Sequence, residues 1–286
     1  MGSSSSKKTT AKSLTTGAKT GVIILPKRKL KKFPSQLLKS PLEQFSKVRS
    51  LDLSSNYLVD VNVSLAHFKS LKTFNLSGNR LTRLTNVHQL SSLQNLDISN
   101  NQLIALPTLP LKIQKILASH NNIAVVDCTL KLSKLKELDL SHNVLVGVTS
   151  AFFQECSLDK LERLDLSHNS LEAIATTMGV LPRLVHLDIS NNRLATLPQE
   201  LGQCKTLQTV LATHNILAAV PTALLDNGAL SKMRLEGNRI SKEDFLDTEG
   251  ADEFMERRKA RIDREIHGGM HSTDRTVCGL DDLKKT

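Results

Sequence analysis

The stretch Leu161 to Leu171, LERLDLSHNSL, determines how the whole 286-residue chain is built. Leucines occupy its first, fourth, sixth and eleventh places, and Asn169 occupies the ninth. The frame LxxLxLxxNxL recurs in one register, with 20 to 26 residues between successive ninth-place asparagines. These asparagines are Asn56, Asn79, Asn101, Asn121, Asn143, Asn169, Asn192, Asn215 and Asn238. Nine copies in register indicate repeats that stack on their neighbours.

A period of about 20 to 29 residues with this pattern is typical of the leucine-rich repeat, in which each coil supplies one strand and a turn-rich return. One coil cannot bury its own leucines, so the first, fourth, sixth and eleventh places of stacked coils form a continuous aliphatic core. We therefore predict an α/β fold: a leucine-rich-repeat solenoid, or horseshoe, with a concave parallel sheet, a half-repeat N-terminal cap and a helical C-terminal cap.

The ninth-place asparagine marks the point at which the strand ends and the chain turns. Its amide carries two donor protons and an acceptor oxygen, so it can satisfy backbone groups that the turn removes from the sheet ladder. Stacked coils place these side chains in a row, each supporting the next. The pattern predicts a structural role for all nine asparagines.

Positive charge is concentrated at the start of the chain. Of the net charge of +10, residues 1–50 contribute +11, from twelve Lys and Arg against the single acid Glu43, which leaves −1 for the remainder. The chain has no apolar run of about 18 residues, so we expect no membrane-spanning helix. The N-terminus has no apolar segment, so we expect no secretory signal. The four cysteines form no CxxC pair, so we expect reduced thiols in a cytosolic protein.

Residues 1–20 form a predicted flexible basic arm, because they are rich in Ser, Thr and Lys and have few large apolar groups. The arm begins Met-Gly with Ser at the sixth place, which fits the pattern for N-myristoylation of Gly2. A soluble Ser/Lys tail is the alternative interpretation. The candidate membrane-binding residues are Lys7, Lys8, Lys12, Lys19, Lys27, Arg28, Lys29, Lys31 and Lys32.

Residues 21–47 are predicted to form an N-terminal capping half-repeat and a connector, with Arg28 where the asparagine would stand. Its basic run is either a solvated face or a membrane-facing patch. Nucleic acid is not an expected partner, because aromatic side chains that stack on bases are missing.

Residues 48–240 hold the nine repeats, and the long spacing before Asn169 predicts an insertion at Ala151 to Lys160. Residues 241–267 are predicted to form a helical C-terminal cap, because Ser241 followed by Asp244 favours a helix start. Residues 268–286, which begin with two glycines, are predicted to be a flexible tail.

Strand residues at the second, third, fifth, seventh and eighth places are predicted to point to the concave face, in ladders about 4.8 Å apart. Leu117 and Leu211 differ from most fifth-place residues, which are polar. They either tuck inward or stay exposed as apolar anchors for a partner. The candidate protein-binding residues are Asp97, Leu117, His120, Asp139, His142, Asp165, His168, Asp188, Leu211 and His214.

The Asp and His ladders do not favour a metal or catalytic site, because side chains on successive strands of a curved sheet diverge instead of converging on one atom. The chain has no nucleophile with a matched base, no phosphate-binding loop and no HExxH sequence. We expect no enzymatic activity, no metal, no cofactor and no small-molecule substrate.

Both ends of the chain resemble the family of leucine-rich-repeat-containing protein fifty-seven. At the start the shared residues are Met1, Gly2, Thr20, Gly21, Val22, Leu25, Arg28, Leu30, Phe33 and Pro34. At the end they are Gly250, Asp252, Phe254, Met255, Glu256 and Arg257. The resemblance implies N-myristoylation at Gly2, association with the cytosolic side of a membrane, and no enzyme activity.

The sequence therefore favours a myristoylated, cytoplasmic, peripheral-membrane adaptor that binds an unidentified protein on its concave face. The alternative is a soluble regulatory subunit of a phosphatase or small-GTPase signalling pathway, steered to acidic proteins by its basic end. Membrane partition that depends on Gly2 separates the two hypotheses.

Overall fold

A computed structural model describes residues 13–38, 42–126, 132–267 and 276–281. The chain forms two compact units, Met1–Val144 and Leu145–Thr286. In each unit the repeats contribute one short parallel strand apiece, paired in chain order with the next repeat. The predicted α/β leucine-rich-repeat fold is confirmed.

The described residues of the first unit form six strands and few helices. Helix α1 covers residues 13–20, and 3-10 helices lie at Ser35–Leu38, Leu42–Phe45 and Val87–Gln89. The strands are β1 (Val22–Ile24), β2 (Ser50–Asp52), β3 (Thr73–Asn75), β4 (Asn95–Asp97), β5 (Lys115–Leu117) and β6 (Glu137–Asp139).

In the second unit, the residues that the structure describes form four strands and the C-terminal helices. The strands are β7 (Arg163–Asp165), β8 (His186–Asp188), β9 (Thr209–Leu211) and β10 (Lys232–Arg234). The α-helices are α2 (Ser150–Glu155), α3 (Thr222–Leu225), α4 (Lys242–Leu246) and α5 (Ala251–His267). Two 3-10 helices lie at Thr176–Val180 and Gln199–Gln203. Helix α2 occupies the predicted insertion, and a capping box of Ser241 and Asp244 starts α4.

Strands are three residues long because only the third to fifth places of each repeat are extended. The fourth-place side chain of each strand is buried, and its neighbours on either side are half-exposed or exposed. The first, fourth, sixth and eleventh places together supply the aliphatic core, as Leu184, Leu187, Ile189 and Leu194 do in one repeat. Burial of such a side chain stabilises the fold by about 1.5–3 kcal/mol.

Each ninth-place asparagine joins its own repeat to the one before it. Asn192 Nδ2 donates to the carbonyls of Leu166 at 3.0 Å, Ile189 at 3.0 Å and Ser190 at 3.2 Å. Its Oδ1 accepts the backbone N–H of Leu171 at 2.9 Å. The same pattern recurs at Asn79, Asn101, Asn121, Asn143, Asn215 and Asn238. The turn below each strand is therefore held by side-chain amides.

The eighth place corrects the prediction that this residue belongs to the strand. In all nine repeats it has a left-handed backbone, with φ between 52° and 74°. Gly, Asn, Ser and His fill it, and none of these is β-branched. The eighth residue is thus the first residue of the turn, since β-branched residues are strongly disfavoured in this conformation.

The N-terminal arm is ordered where the structure describes it, contrary to the prediction of a flexible segment through residue 20. Residues 13–20 are helical, and Leu14 is buried. Gly17 packs against Ile23 so closely that a Cβ would clash with its side chain. The composition of the arm did not predict this helix, because its contacts with β1 involve only one leucine and one glycine.

The C-terminal tail also departs from the prediction of flexibility. Residues 276–281 pack on the last repeat, where Cys278 is 0% exposed and Leu280 is 3% exposed. Lys242 forms an ion pair with Asp281, which also accepts the N–H of Val277. These short apolar residues were too few to form a recognisable pattern in the sequence.

The cysteines differ from the expectation that all thiols are reduced. Cys156 is disulfide-bonded. Cys204 and Cys278 are buried, and neither is in a disulfide. Burial raises the pKa of the Cys204 thiol to about 11, which keeps it protonated.

Candidate protein-binding surface

The third- and fifth-place side chains of the strands, with the seventh-place side chains that follow them, form what we call the sheet face of each unit. In the first unit the fifth-place row runs through Asp52, Asn75, Asp97, Leu117 and Asp139, in direct register from strand to strand. In the second unit, Asp165 pairs with Asp188, Asp188 with Leu211, and Leu211 with Arg234. These rows are polar surfaces interrupted by one leucine in each unit.

Most fifth-place carboxylates have a structural role that the sequence analysis missed. Asp139 Oδ1 accepts the backbone N–H of Ser141 at 2.9 Å and its hydroxyl at 2.7 Å. Asp97 and Asp165 make the same pair of bonds to the serine two residues later, and Asp188 accepts the backbone N–H of Ser190. The recurring D-x-S triplet was the available signal, because it forms the Asx turn that ends a strand.

The candidate histidines lie in the eighth-place turn at the end of the sheet face. His120 and His142 stack with their ring centroids 4.0 Å apart, and the planes differ by 11°. His168 Nε2 lies 3.2 Å from Nδ2 of Asn191. The His214 ring lies over Gly237, where a Cβ would clash with it. These histidines therefore form local pairs along the row and do not converge.

Among the residues that the structure describes, no three His, Cys, Asp or Glu side chains are placed to hold a metal ion together. Within the same residues, no helix is long and apolar enough to cross a membrane.

Leu117 and Leu211 are not core residues, contrary to the alternative in which they tuck inward. Each is half-exposed on its strand, and the following Ala118 and Ala212 fill the core place instead. Leu117 lies in register between Asp97 and Asp139. The structure therefore presents a large aliphatic side chain to solvent within a charged row in each unit.

A shallow depression of about 410 Å³ surrounds Leu211 on the second unit. Its lining includes Asp188, Lys232 and the Arg234–Glu236 ion pair. Nearby, burial lowers the pKa of His186, and the adjacent cation of Arg163 lowers it further. This part of the sheet face therefore offers charges of both signs and one apolar side chain to a partner.

The candidate membrane-binding residues fall into three groups. Gly2, Lys7, Lys8 and Lys12 lie outside the described residues. The ammonium-bearing side chains of Lys19, Lys27, Lys29, Lys31 and Lys32 are exposed.

Arg28 behaves differently from these lysines. It is half-buried, and its Nε is buried without a hydrogen-bond partner among the described residues. Its backbone N–H donates to Asn56 Oδ1 at 2.9 Å. Arg28 therefore belongs to the capping turn and contributes less than the lysines to the exposed basic surface.

The sequence profile of the family described as Leucine rich repeat matches residues 46–103, 133–194 and 159–217. A second profile of the same description matches residues 92–116. The chain belongs to the leucine-rich-repeat family. A leucine-rich-repeat protein of Leptospira interrogans has a similar solved structure, with a TM-score of 0.68 and 27% identity. That alignment covers 80% of this chain and 58% of the bacterial one.

Other leucine-rich-repeat proteins share only part of their length with this chain. The mouse (Mus musculus) leucine-rich repeat and calponin homology domain-containing protein 1 is 36% identical over 136 residues, which is 46% of this chain and 19% of the mouse protein. The chain thus spans about a fifth of the length of the curated relatives that it matches. The solved LRIM1/APL1C complex is similar with a TM-score of 0.58 and 26% identity, over 74% of this chain and 42% of that one.

Proposed function

We propose that this chain is a non-enzymatic scaffold that binds a protein partner on the sheet face, the face that the sequence predicts to be concave. The observation that carries the proposal is the half-exposed position of Leu117 and Leu211 among charged neighbours. Binding energy in protein interfaces concentrates at a few apolar or aromatic anchors surrounded by polar groups. The carboxylates beside each leucine, which are fixed by their own turns, supply these polar groups.

Membership of the leucine-rich-repeat family supports a role in protein binding, and one similar solved structure is itself a complex, that of LRIM1 with APL1C. The strand registry adds a physical reason. Parallel strands fix the spacing of their side chains, so the sheet face is preorganised and loses little conformational entropy on binding.

Attachment to the cytosolic side of a membrane is the second part of the proposal. It rests on the myristoylation pattern at Gly2, on the resemblance to the family of leucine-rich-repeat-containing protein fifty-seven, and on the exposed lysines near the N-terminus. One acyl chain binds membranes only weakly and reversibly, so a second attractive element is required. The basic residues supply it through attraction to anionic lipid.

The partner-binding part is tested by Leu117→Asp combined with Leu211→Asp. We expect capture of the partner to fall at least tenfold, because two apolar anchors are lost, while the thermal midpoint stays near that of the wild type. Ile104→Asp with Val180→Asp is the matched control, since both residues are exposed and apolar but outside the strands. Unfolding of the leucine variant, or partner capture equal to that of the wild type, contradicts the proposal.

The membrane part is tested by Gly2→Ala, with cell fractionation and intact-protein mass as the two measurements. We expect loss of the acyl mass and transfer of the protein from the membrane to the soluble fraction. Equal soluble fractions for wild type and variant, with partner capture retained, would favour the alternative: a soluble regulatory subunit of a phosphatase or small-GTPase pathway.

A further inference from the structure

The first strand differs from the others in the first unit because its sheet face is apolar. Val22 is 42% exposed and Ile24 is 53% exposed, at the third and fifth places of β1. Their register neighbours on β2 are Ser50 and Asp52. A terminal strand without a polar face leaves two aliphatic side chains in water beside a charged row, which costs hydrophobic free energy unless something covers them.

The N-terminal arm enters the fold beside this apolar pair. Ser13 Oγ donates to the carbonyl of Ile24 at 3.0 Å, and Leu14 is buried behind it. The N–H of Gly21 donates to the carbonyl of Gly17 at 2.8 Å, which ends helix α1 at the start of β1. Gly2 is eleven residues before Ser13, within about 40 Å even for a fully extended chain. An acyl group on Gly2 is therefore tethered to the strand that exposes Val22 and Ile24.

The turn that follows β1 holds exposed lysines on ordered backbone. The N–H of Lys27 donates to the carbonyl of Ser54 at 3.1 Å, and the N–H of Leu30 donates to Asn56 Oδ1 at 3.1 Å. These bonds fix the turn against the first full repeat. Four lysines in this turn and directly after it are exposed: Lys27, Lys29, Lys31 and Lys32. Each of them lies within eight residues of Ile24 along the chain.

We propose that Val22, Ile24 and these four lysines form one lipid-contacting surface, the N-terminal face, which seats on an anionic bilayer. Val22 and Ile24 enter the headgroup–acyl boundary, and the lysines contact the lipid headgroups. Charge complementarity favours this occupant, because residues 1–50 carry +11 while the rest of the chain carries −1. Aliphatic side chains flanked by lysines are the combination that binds a membrane interface, whereas an acidic protein surface leaves the aliphatic pair without a match.

This inference rests on the membrane part of the proposed function and adds the orientation. The sheet face of the first unit would lie with its β1 end at the bilayer, and the row from β2 to β6 would extend away from it. Leu117 then remains accessible to a protein while the N-terminal face is in contact with lipid.

The first test uses the full chain, acylated and non-acylated, sedimented with vesicles of phosphatidylcholine containing phosphatidylserine. Val22→Ser with Ile24→Ser is expected to lower the partition constant of both forms about tenfold, from the loss of partly exposed aliphatic area. Val59→Ser with Ile104→Ser removes aliphatic groups elsewhere in the first unit that are more exposed than Val22 and Ile24, and is expected to leave partition unchanged.

The electrostatic half is tested by Lys31→Glu with Lys32→Glu, which avoids the left-handed residues Lys27 and Lys29. Binding is expected to fall more than tenfold at low salt, and the difference from wild type is expected to shrink as salt rises. Lys69→Glu with Lys112→Glu is the control, because it changes the net charge by the same amount at exposed sites elsewhere in the first unit. Its loss of vesicle binding is expected to be much smaller.

A spectroscopic measurement keeps the proposal testable if the serine variant folds poorly. The chain has no tryptophan, so Ile24→Trp introduces a single reporter. Its emission is expected to shift to the blue with anionic vesicles and not with polyglutamate. Ile104→Trp is expected to show no shift with either. A shift of the residue-24 reporter with polyglutamate alone, or with neither probe, overturns the proposal.

Failure of this inference and failure of the lipid anchor give different results. Unchanged partition of the Val22/Ile24 variant, together with loss of binding in Gly2→Ala, overturns the N-terminal face and retains the anchor. Equal binding of wild type and Gly2→Ala, together with weaker binding of the Val22/Ile24 variant, removes the anchor and supports the N-terminal face.

Discussion

The backbone N–H of Leu235 donates to the carbonyl of Cys278 at 2.8 Å. Sixth-place residues of earlier repeats make this bond to the next strand, as Ala212 does to Arg234 at 2.9 Å and Ile189 does to Leu211 at 2.8 Å. The segment 276–281 thus stands where an eleventh strand would begin. It covers the edge of β10, which would otherwise offer unpaired backbone groups to another chain.

Deletion of residues 276–286 should therefore destabilise the second unit. We expect a loss of about 2–4 kcal/mol in unfolding free energy from the burial of Cys278 and Leu280, and concentration-dependent association through the uncovered edge. Urea unfolding and light scattering measure the two effects. Deletion of residues 282–286 alone is the control and should change neither. A monomeric protein of wild-type stability after the longer deletion would show that the segment is dispensable.

The asparagine row predicts unequal effects at two adjacent positions. Asn192→Leu leaves the N–H of Leu171 without its acceptor, whereas the carbonyls of Leu166 and Ile189 still accept from neighbouring asparagines, and the variant should lose about 1–3 kcal/mol. Asn191→Gly should change stability by less than about 1 kcal/mol, because glycine readily adopts the left-handed backbone at that place. Chemical denaturation of both variants is the measurement. Equal stabilities would contradict the structural role of the ninth place.

The left-handed eighth place predicts a dependence on residue type that is independent of charge. His120→Val should lose about 1–2 kcal/mol, because a β-branched residue is strained at a φ of 54°. His120→Gly should retain most of the wild-type stability, although it also loses the stack on His142. Thermal midpoints of the two variants separate backbone strain from loss of the ring contact. A valine variant as stable as the glycine variant would refute the strain argument.

Cys204 predicts a pH dependence above neutrality. Burial raises the pKa of its thiol from 9.0 to about 11, and its Sγ lies 3.4 Å from the carbonyl of Met178. The folded pKa exceeds the unfolded one, so this stability is fully present below pH 9.0 and is lost as pH rises to about 11. The loss is about 3 kcal/mol. Urea unfolding of wild type and Cys204→Ala should therefore converge as pH rises. A constant difference would contradict the shift.

The sequence predicts the repeat architecture well because the leucine frame and the ninth-place asparagine are geometric requirements of each coil. It does not predict the conformation of the eighth place. The repeat frame predicts a strand place on the concave face there, with its histidines as candidate protein-binding residues. The common property of the Gly, Asn, Ser and His residues at this place is tolerance of a left-handed backbone, which becomes visible only when φ is known.

The candidate site is predicted in part, for a related reason. The fifth-place aspartates read from the sequence as binding residues, yet one oxygen of each is engaged by its own turn, as in Asp139 with Ser141. The two leucines were identifiable as departures from the pattern. Val22 and Ile24 could not be identified in this way. They belong to an entirely apolar strand, so the sequence does not show which of its side chains are buried and which are exposed.

The central claim is that the sheet face of this chain binds a protein, and site-specific photo-crosslinking tests it most directly. A photoreactive amino acid is placed singly at Leu117, Leu211, Ile104 or Val180 in cells that express the chain. The account predicts adducts of one partner mass from positions 117 and 211, and none of that mass from the exposed control positions 104 and 180. Adducts at the control positions alone, or the same adducts at all four positions, would contradict it.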